Sequence, residues 1–179
     1  MANLSKELIL QTAFDLVEQK QNIKISLKDV GGALGVSHAA LYKYFPNKKT
    51  LWTELAMEWL DQQLIAIFPF DTSSYEDVST IAHDWLWALA DGKRQAKQQN
   101  PEMFSVYTTY IEQDPAAYQR HARDLGESFM TATGKDEEFT IGILLSFMYF
   151  SAPAYAIRWD EHFQQQFELV WALMKKNFE

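Results

Sequence analysis

Cysteine is absent from the 179 residues, so the chain has no disulfide framework and no thiolate metal site. That absence fits a reducing compartment, and the cytoplasm is the expected location. The opening MANLSKELIL lacks an apolar run after its charges and does not read as a secretory leader. Alternating Val/Ile/Thr runs are missing, which argues against a β-rich fold. There is no internal repeat and no low-complexity tract. Enzyme signatures are missing too: no His-Glu-x-x-His, no Glu-x-x-His pair for a bundle metal site, and no glycine-rich phosphate loop. His83, His121 and His162 fall on different expected helices with no nucleophile beside them. His83-Asp84 and Glu161-His162 read as solvated helix faces. No catalysis, no metal and no cofactor are expected.

What is present is an uneven charge. The whole chain carries −8, which argues against coating a polyanion all over. Up to Trp52 there are seven Lys and no Arg against Glu7, Asp15, Glu18 and Asp29, a net +3. The remainder carries a net −11. A basic head on an acidic body suggests that only the head meets a polyanion.

Apolar residues recur at three- and four-residue spacing throughout, so the fold class is all-α. A first helix over 4–19 lines up Ile9, Ala13, Leu16 and Val17. A second starts at Ser26, with Asp29 three residues on in a capping-box pattern, and Gly35 ends it. A third runs from the N-cap Ser37 to about Phe45. Pro46-Asn47 breaks the chain, and Asn47 caps a fourth helix reaching about Phe68. A fifth, from about Tyr75 to Gln99, carries Val78, Ile81, Trp85 and Leu89 as a stripe. Asn100-Pro101-Glu102 and Asp114-Pro115 are further helix starts. A long eighth helix is expected after Asp136, and a last one holds Phe163, Phe167, Val170, Trp171 and Met174.

Phe139 to Ile157 has no charge over 19 residues, nearly the ~20 of a membrane span. Thr140, Gly142, Ser146, Ser151 and Pro153 dilute it, and its flanks lack a basic cluster. Burial against the body and a second subunit is the better account, so no membrane partner is expected.

The most informative stretch runs from Ser26 to Leu51. It reads as two short helices joined by a tight turn, with Gly35 supplying a left-handed backbone. Val30, Leu34, Val36, Leu41 and Phe45 would pack the pair together. His38, Ala39 and Ala40 lead the second helix and are small or polar, which lets its backbone approach base edges in the major groove. Tyr42 and Tyr44 can donate to phosphates, and Lys43, Lys48 and Lys49 supply positive charge. Gly32 to Gly35 also fits an RNA-binding GxxG loop, but no strands flank it.

Gly-Val-Ser-x-x-x-Leu-Tyr-x-Tyr-Phe-x-x-Lys-x-x-Leu, at Gly35 to Leu51, resembles the DNA-binding signature of TetR-family repressors. The likeness spans about residues 5–52; beyond 53 it lies in layout alone. It implies a helix-turn-helix DNA-binding domain at 1–52. It also implies a helical effector-binding and dimerisation domain at 53–179, about nine helices in all. Ser37, His38, Ala39, Ala40, Tyr42, Lys43 and Tyr44 match the recognition-helix contacts. Ser26 and Lys28 match contacts at the start of the preceding helix, and Lys48 matches a phosphate-binding lysine. Val30-Gly31-Gly32 departs from the pattern: Gly31 suits a close helix contact, whereas Gly32 has no obvious purpose. Leu27 stands where the family often has a polar residue.

The resemblance further implies a homodimer on a palindromic double-stranded operator, held by the last two helices. Phe150, Tyr155, Phe163, Phe167, Val170, Trp171 and Met174 are the expected interface. It also implies a small-molecule effector that releases the DNA. For its pocket the aromatic residues Trp59, Trp85, Phe104, Tyr107, Tyr110 and Phe147 are the candidates, with Phe104, Tyr107 and Tyr110 expected on one short helix. The competing reading is a helical protein-interaction module without DNA binding.

Overall fold

The computed structural model describes residues 4–178, and among them every regular element is helical. The all-α expectation holds. Ten α-helices follow in order: α1 Lys6–Lys20, α2 Leu27–Leu34, α3 His38–Leu41, α4 Lys48–Gln63, α5 Val78–Gln99, α6 Pro101–Tyr107, α7 Pro115–Thr133, α8 Glu137–Ser146, α9 Met148–Ser151 and α10 Phe163–Met174. A π-helical turn, Thr108–Glu112, lies between α6 and α7.

Local chemistry sets most of the boundaries. Ser26 and Asp29 form the reciprocal capping box at the start of α2, and Gly35 ends it at φ 66°. Asn47 accepts the Thr50 amide at 2.8 Å ahead of α4, and Asn100 accepts the Met103 amide at 3.0 Å with Pro101 in the first turn of α6.

The chain forms two compact units. One comprises the chain up to Leu60 together with Asn100–Tyr118; the other comprises Asp61–Gln99 and the chain from Gln119 onward. In the first unit, Ile9, Ala13 and Val17 of α1 are fully buried. So are Val30, Leu41, Phe45, Leu51 and Ala56, and Met103, Val106 and Tyr107 of α6.

The second unit is built around rings. Phe147, Phe150, Phe163 and Phe167 are all buried, with Phe147–Phe167 centroids at 5.2 Å and Phe150–Phe163 at 5.4 Å. Trp85 meets Phe129 edge-on at 5.1 Å, and its indole N–H donates to Ser128 Oγ at 3.0 Å. Phe139 meets Phe178 and Phe147 meets Phe167, so α8 and α10 run antiparallel. Each such buried ring contributes about 1.5–3 kcal/mol of apolar burial.

Three expectations need correction. The third helix is α-helical over only His38–Leu41, and the backbone continues in turns to Phe45, whose N–H donates to Leu41 O at 3.0 Å. The fourth helix stops at Gln63, followed by a 3-10 turn at Ile65–Ile67. The long eighth helix breaks at Phe147, where φ −99° and ψ 9° turn the ring into the aromatic core. A short α9 follows, then a 3-10 segment that starts at Pro153, which has no N–H to give. Among the described residues no helix is long and apolar enough to cross a membrane.

Candidate nucleic-acid interface

α1, α2 and α3 form a small head with α3 at its surface. Leu41 and Phe45, four apart, are fully buried and pin the underside of the α3 turn. Ser37, His38, Ala39, Tyr42, Lys43 and Tyr44 are exposed, and Ala40 is half-buried. Ser37 Oγ accepts the Ala40 amide at 3.3 Å, which starts the turn. The His38 and Tyr42 rings meet edge-on at 4.7 Å, so the leading residue of α3 and its first tyrosine form one aromatic ridge. Leu34 and Val36 are only half-buried and contribute less to the packing than the sequence pattern suggests.

The two glycines of α2 differ. A Cβ on Gly31 would come within 3.1 Å of Val36 O and 3.6 Å of Leu41 Cδ1, so the turn into α3 packs directly on Gly31. A Cβ on Gly32 would meet nothing within 4 Å. Gly32 carries no steric demand, and its helical position is a net cost.

Two expected DNA contacts already have partners. Ser26 Oγ accepts the Asp29 amide at 3.2 Å and donates to the Asp29 carboxylate at 2.5 Å. The Ser26 hydroxyl and amide, with Lys20 beside them, hold the Asp29 carboxyl down at about 2. Tyr44 donates its hydroxyl to Leu4 O at 2.5 Å, tying the start of the chain to the end of the α3 turn. Both residues act first in holding the head together.

The lysines divide in the same way. Lys6 faces Glu54 at 2.7 Å, Lys20 faces Asp29 at 3.3 Å, and Lys49 is paired with Asp114. Among the described residues Lys24, Lys28, Lys43 and Lys48 face no carboxylate and are exposed. Lys48 holds its ammonium 6.0 Å from the centre of the Trp52 ring. These four cations surround the exposed face of α3 in sequence and supply the charge a phosphate backbone requires.

The effector candidates are packed residues. Trp59, Phe104 and Tyr107 are buried in the first unit, where Tyr107 donates to Glu112 and burial pushes its hydroxyl well above the ordinary tyrosine range. Tyr110 is half-buried and stacks on Trp52 at 6.1 Å. It belongs to the π-helical turn, not to the helix of Phe104 and Tyr107. Trp85 and Phe147 are buried in the second unit. Two surface clefts of the second unit have other linings. One of about 430 Å³ lies along Ile67–Phe70 and α7, and one of about 260 Å³ lies beside Trp87, Asp91 and Gln95.

The residues expected at the interface divide by burial. Phe150, Phe163, Phe167 and Trp171 are buried within the single chain, because they are the inward stripe of α9 and α10. The exposed apolar residues of α8 and α10 are Ile141, Leu145, Leu169 and Leu173. Val170 and Met174 are half-buried, and Tyr155 is exposed.

Sequence reasoning also missed a buried basic pair. Lys93 Nζ lies 3.1 Å from His121 Nε2, and both residues are 2% exposed. Burial, then the Lys93 charge, holds His121 well below the usual histidine range. The signal was available, since the stripe Ile81, Trp85, Leu89 continues by four to Lys93. His83 is not simply solvated: Asp84 faces it at 2.6 Å and Glu168 at 3.2 Å, and its ring packs on Phe167 and Trp171. Among the described residues no cluster of His, Asp and Glu is placed to hold a metal ion.

Residues 9–55 match the family described as bacterial regulatory proteins, tetR family. No curated protein matches the chain. Its fold is shared by solved structures. A TetR-family transcriptional regulator from Streptomyces coelicolor is 19% identical at a TM-score of 0.59, with 98% of this chain and 95% of that one covered. A TetR transcriptional regulator from Rhodococcus sp. RHA1 is 17% identical at 0.59, covering 92% and 93%. A possible TetR family transcriptional regulator from Streptomyces coelicolor A3(2) is 18% identical at 0.62, covering 97% and 98%. The head, residues 9–55, thus matches the tetR-family model of bacterial regulatory proteins, and the chain as a whole shares the fold of solved TetR-family regulators.

Proposed function

We propose that the protein is a homodimeric repressor that reads a palindromic operator with one α3 turn per half-site and is released by an apolar or aromatic small molecule. The observation that carries this reading is the pinned turn: Leu41 and Phe45 have no exposure, while His38, Ala39, Tyr42 and Lys43 face outward. In the major groove Ser37, His38, Ala39 and Ala40 meet base edges, and Tyr42, Lys28, Lys43 and Lys48 meet phosphates. Ser26 and Tyr44 contribute mainly by holding the turn. Residues 1–52 carry the DNA contacts and residues 53–179 the dimer and effector functions, in the cytoplasm. No catalytic role is assigned.

A turn of four helical residues reads little sequence by itself. A second copy one helical turn away, ~34–36 Å, supplies the rest. The surface suited to that copy is the outer side of α8 and α10, where Ile141 and Leu145 pair by four with each other and Leu169 pairs by four with Leu173. Val170, Met174 and Tyr155 would lie at its edge. The effector reading rests on the aromatic content of the chain beyond residue 53, and Tyr110 is the candidate that keeps exposed ring surface.

Selection of bound duplexes from a random pool tests the reading. Enriched sequences should be palindromes with half-sites about one turn apart. Enrichment without two-fold symmetry would remove the dimer, and no enrichment would remove sequence reading.

A further inference from the structure

The unit that carries α1 to α3 contains a second stretch of chain, Asn100–Tyr118. Within that unit the stretch is fastened at both ends. At its start, Asn100 Nδ2 donates to Glu18 Oε1 of α1 at 2.9 Å. Towards its end three contacts converge on the first turns of α4. Tyr110 stacks on Trp52, Thr53 donates its hydroxyl to Tyr110 O at 3.5 Å, and Asp114 pairs with Lys49.

The two partners in the ion pair are unequal. Asp114 is held by the amides of Ala116 and Ala117, each at 3.0 Å, and its side chain is 12% exposed. The Lys49 side chain is 67% exposed. The carboxylate is therefore the fixed member and the ammonium the movable one. Lys48, one residue earlier, faces no carboxylate among the described residues. Two adjacent lysines at the start of one helix thus differ in their partners: Lys48 lies over the Trp52 ring, and Lys49 meets an acid supplied by a distant part of the chain.

We propose that Asp114 withholds Lys49 from the DNA backbone: its carboxylate occupies an ammonium that would otherwise neutralise a phosphate, so it sets the head's affinity for duplex below what its lysines allow. A phosphate and Asp114 compete for the same Lys49 Nζ, and binding of one displaces the other. Asp114 is a positioning residue here, acting on DNA through Lys49. The inference rests on the head binding DNA.

Affinity for a random-sequence duplex, measured from 50 to 300 mM salt, tests it. Asp114→Asn keeps the α7 cap, since asparagine caps as well as aspartate, and removes the charge. It should tighten binding about three- to tenfold at the low-salt end and steepen the log–log salt slope by about 0.9 per head. Adding Lys49→Ala to Asp114→Asn should cancel the gain. A merely structural Asp114 would give equal or weaker binding with an unchanged slope, and that result overturns the proposal. Exposed-site variants guard against misfolding of Asp114→Asn. Lys48→Ala should lower the slope of the otherwise unaltered protein by about 0.9 per head, and Lys49→Ala by clearly less. Equal losses would also overturn it. If the unaltered protein shows no salt-sensitive binding to duplex, the DNA reading itself fails first.

Discussion

In the first unit the exposed apolar-bodied residues of the α3 turn are tyrosines, Tyr42 and Tyr44, whose hydroxyls can meet water or phosphate. On α8 and α10 of the second unit the exposed large apolar residues are aliphatic: Ile141, Leu145, Leu169 and Leu173. A tyrosine surface tolerates solvent and suits a wet, charged partner. An aliphatic surface has no polar handle, and where it is contiguous it suits another apolar face. The contrast matches the proposed function, which gives the first region a polyanion and the second a copy of the same chain.

The comparison breaks most severely if the inward rings of α10 are not core. Phe167→Ala should cost about 3–5 kcal/mol, read by urea unfolding, independent of protein concentration. A loss that varied with concentration would return Phe167 to the interface. Next, Leu169→Glu with Leu173→Glu should leave the fold intact and convert dimer to monomer in sedimentation. Operator affinity should fall about 100-fold or more as the linked second head is lost. An unchanged sedimentation profile would remove the outer face of α8 and α10 as the dimer surface.

Acid should separate the two regions. His121 is held below its ordinary 6.5, so the unfolded chain takes up its proton first. The stability it contributes is complete above about 6.5 and is lost as pH falls from there towards the lower folded value. Asp29 is lowered from 3.8 to about 2. Its contribution is complete above 3.8 and is lost as pH falls towards 2. Amide exchange should therefore show α5 and α7 loosening at a higher pH than the start of α2; the reverse order would contradict these assignments. The smallest effect is expected at Gly32. Gly32→Ala should stabilise the head by about 0.5–1 kcal/mol in thermal unfolding, because helical glycine is costly and the site is open. Gly31→Ala, against Val36 O, should not.

The legible parts of the fold were those decided by neighbours in sequence. Ser26 with Asp29, Gly35, Asn47, Asn100-Pro101 and Asp114-Pro115 announce their caps within three or four residues. So does the outward set of α3, because Leu41 and Phe45 leave only one side for His38, Ala39, Tyr42 and Lys43. What was not legible depends on packing. α10 is apolar on two sides, Phe163, Phe167 and Trp171 on one and Leu169 and Leu173 on the other, so periodicity could not say which side was core. Phe147 breaks α8 without a local breaker, because its ring is claimed by Phe150 and Phe167. Lys49 and Lys48 look alike in sequence, and which of them meets an acid is decided by the distant Asp114.

The central claim is that the chain meets DNA through the α3 turn. Hydrogen exchange followed by mass spectrometry, with and without saturating duplex, tests it most directly. Peptides covering Ser26 to Thr50 should gain protection while those covering α8 and α10 stay unchanged. Protection confined to α8 and α10, with the α3 turn exchanging as freely as in the absence of DNA, would contradict the account.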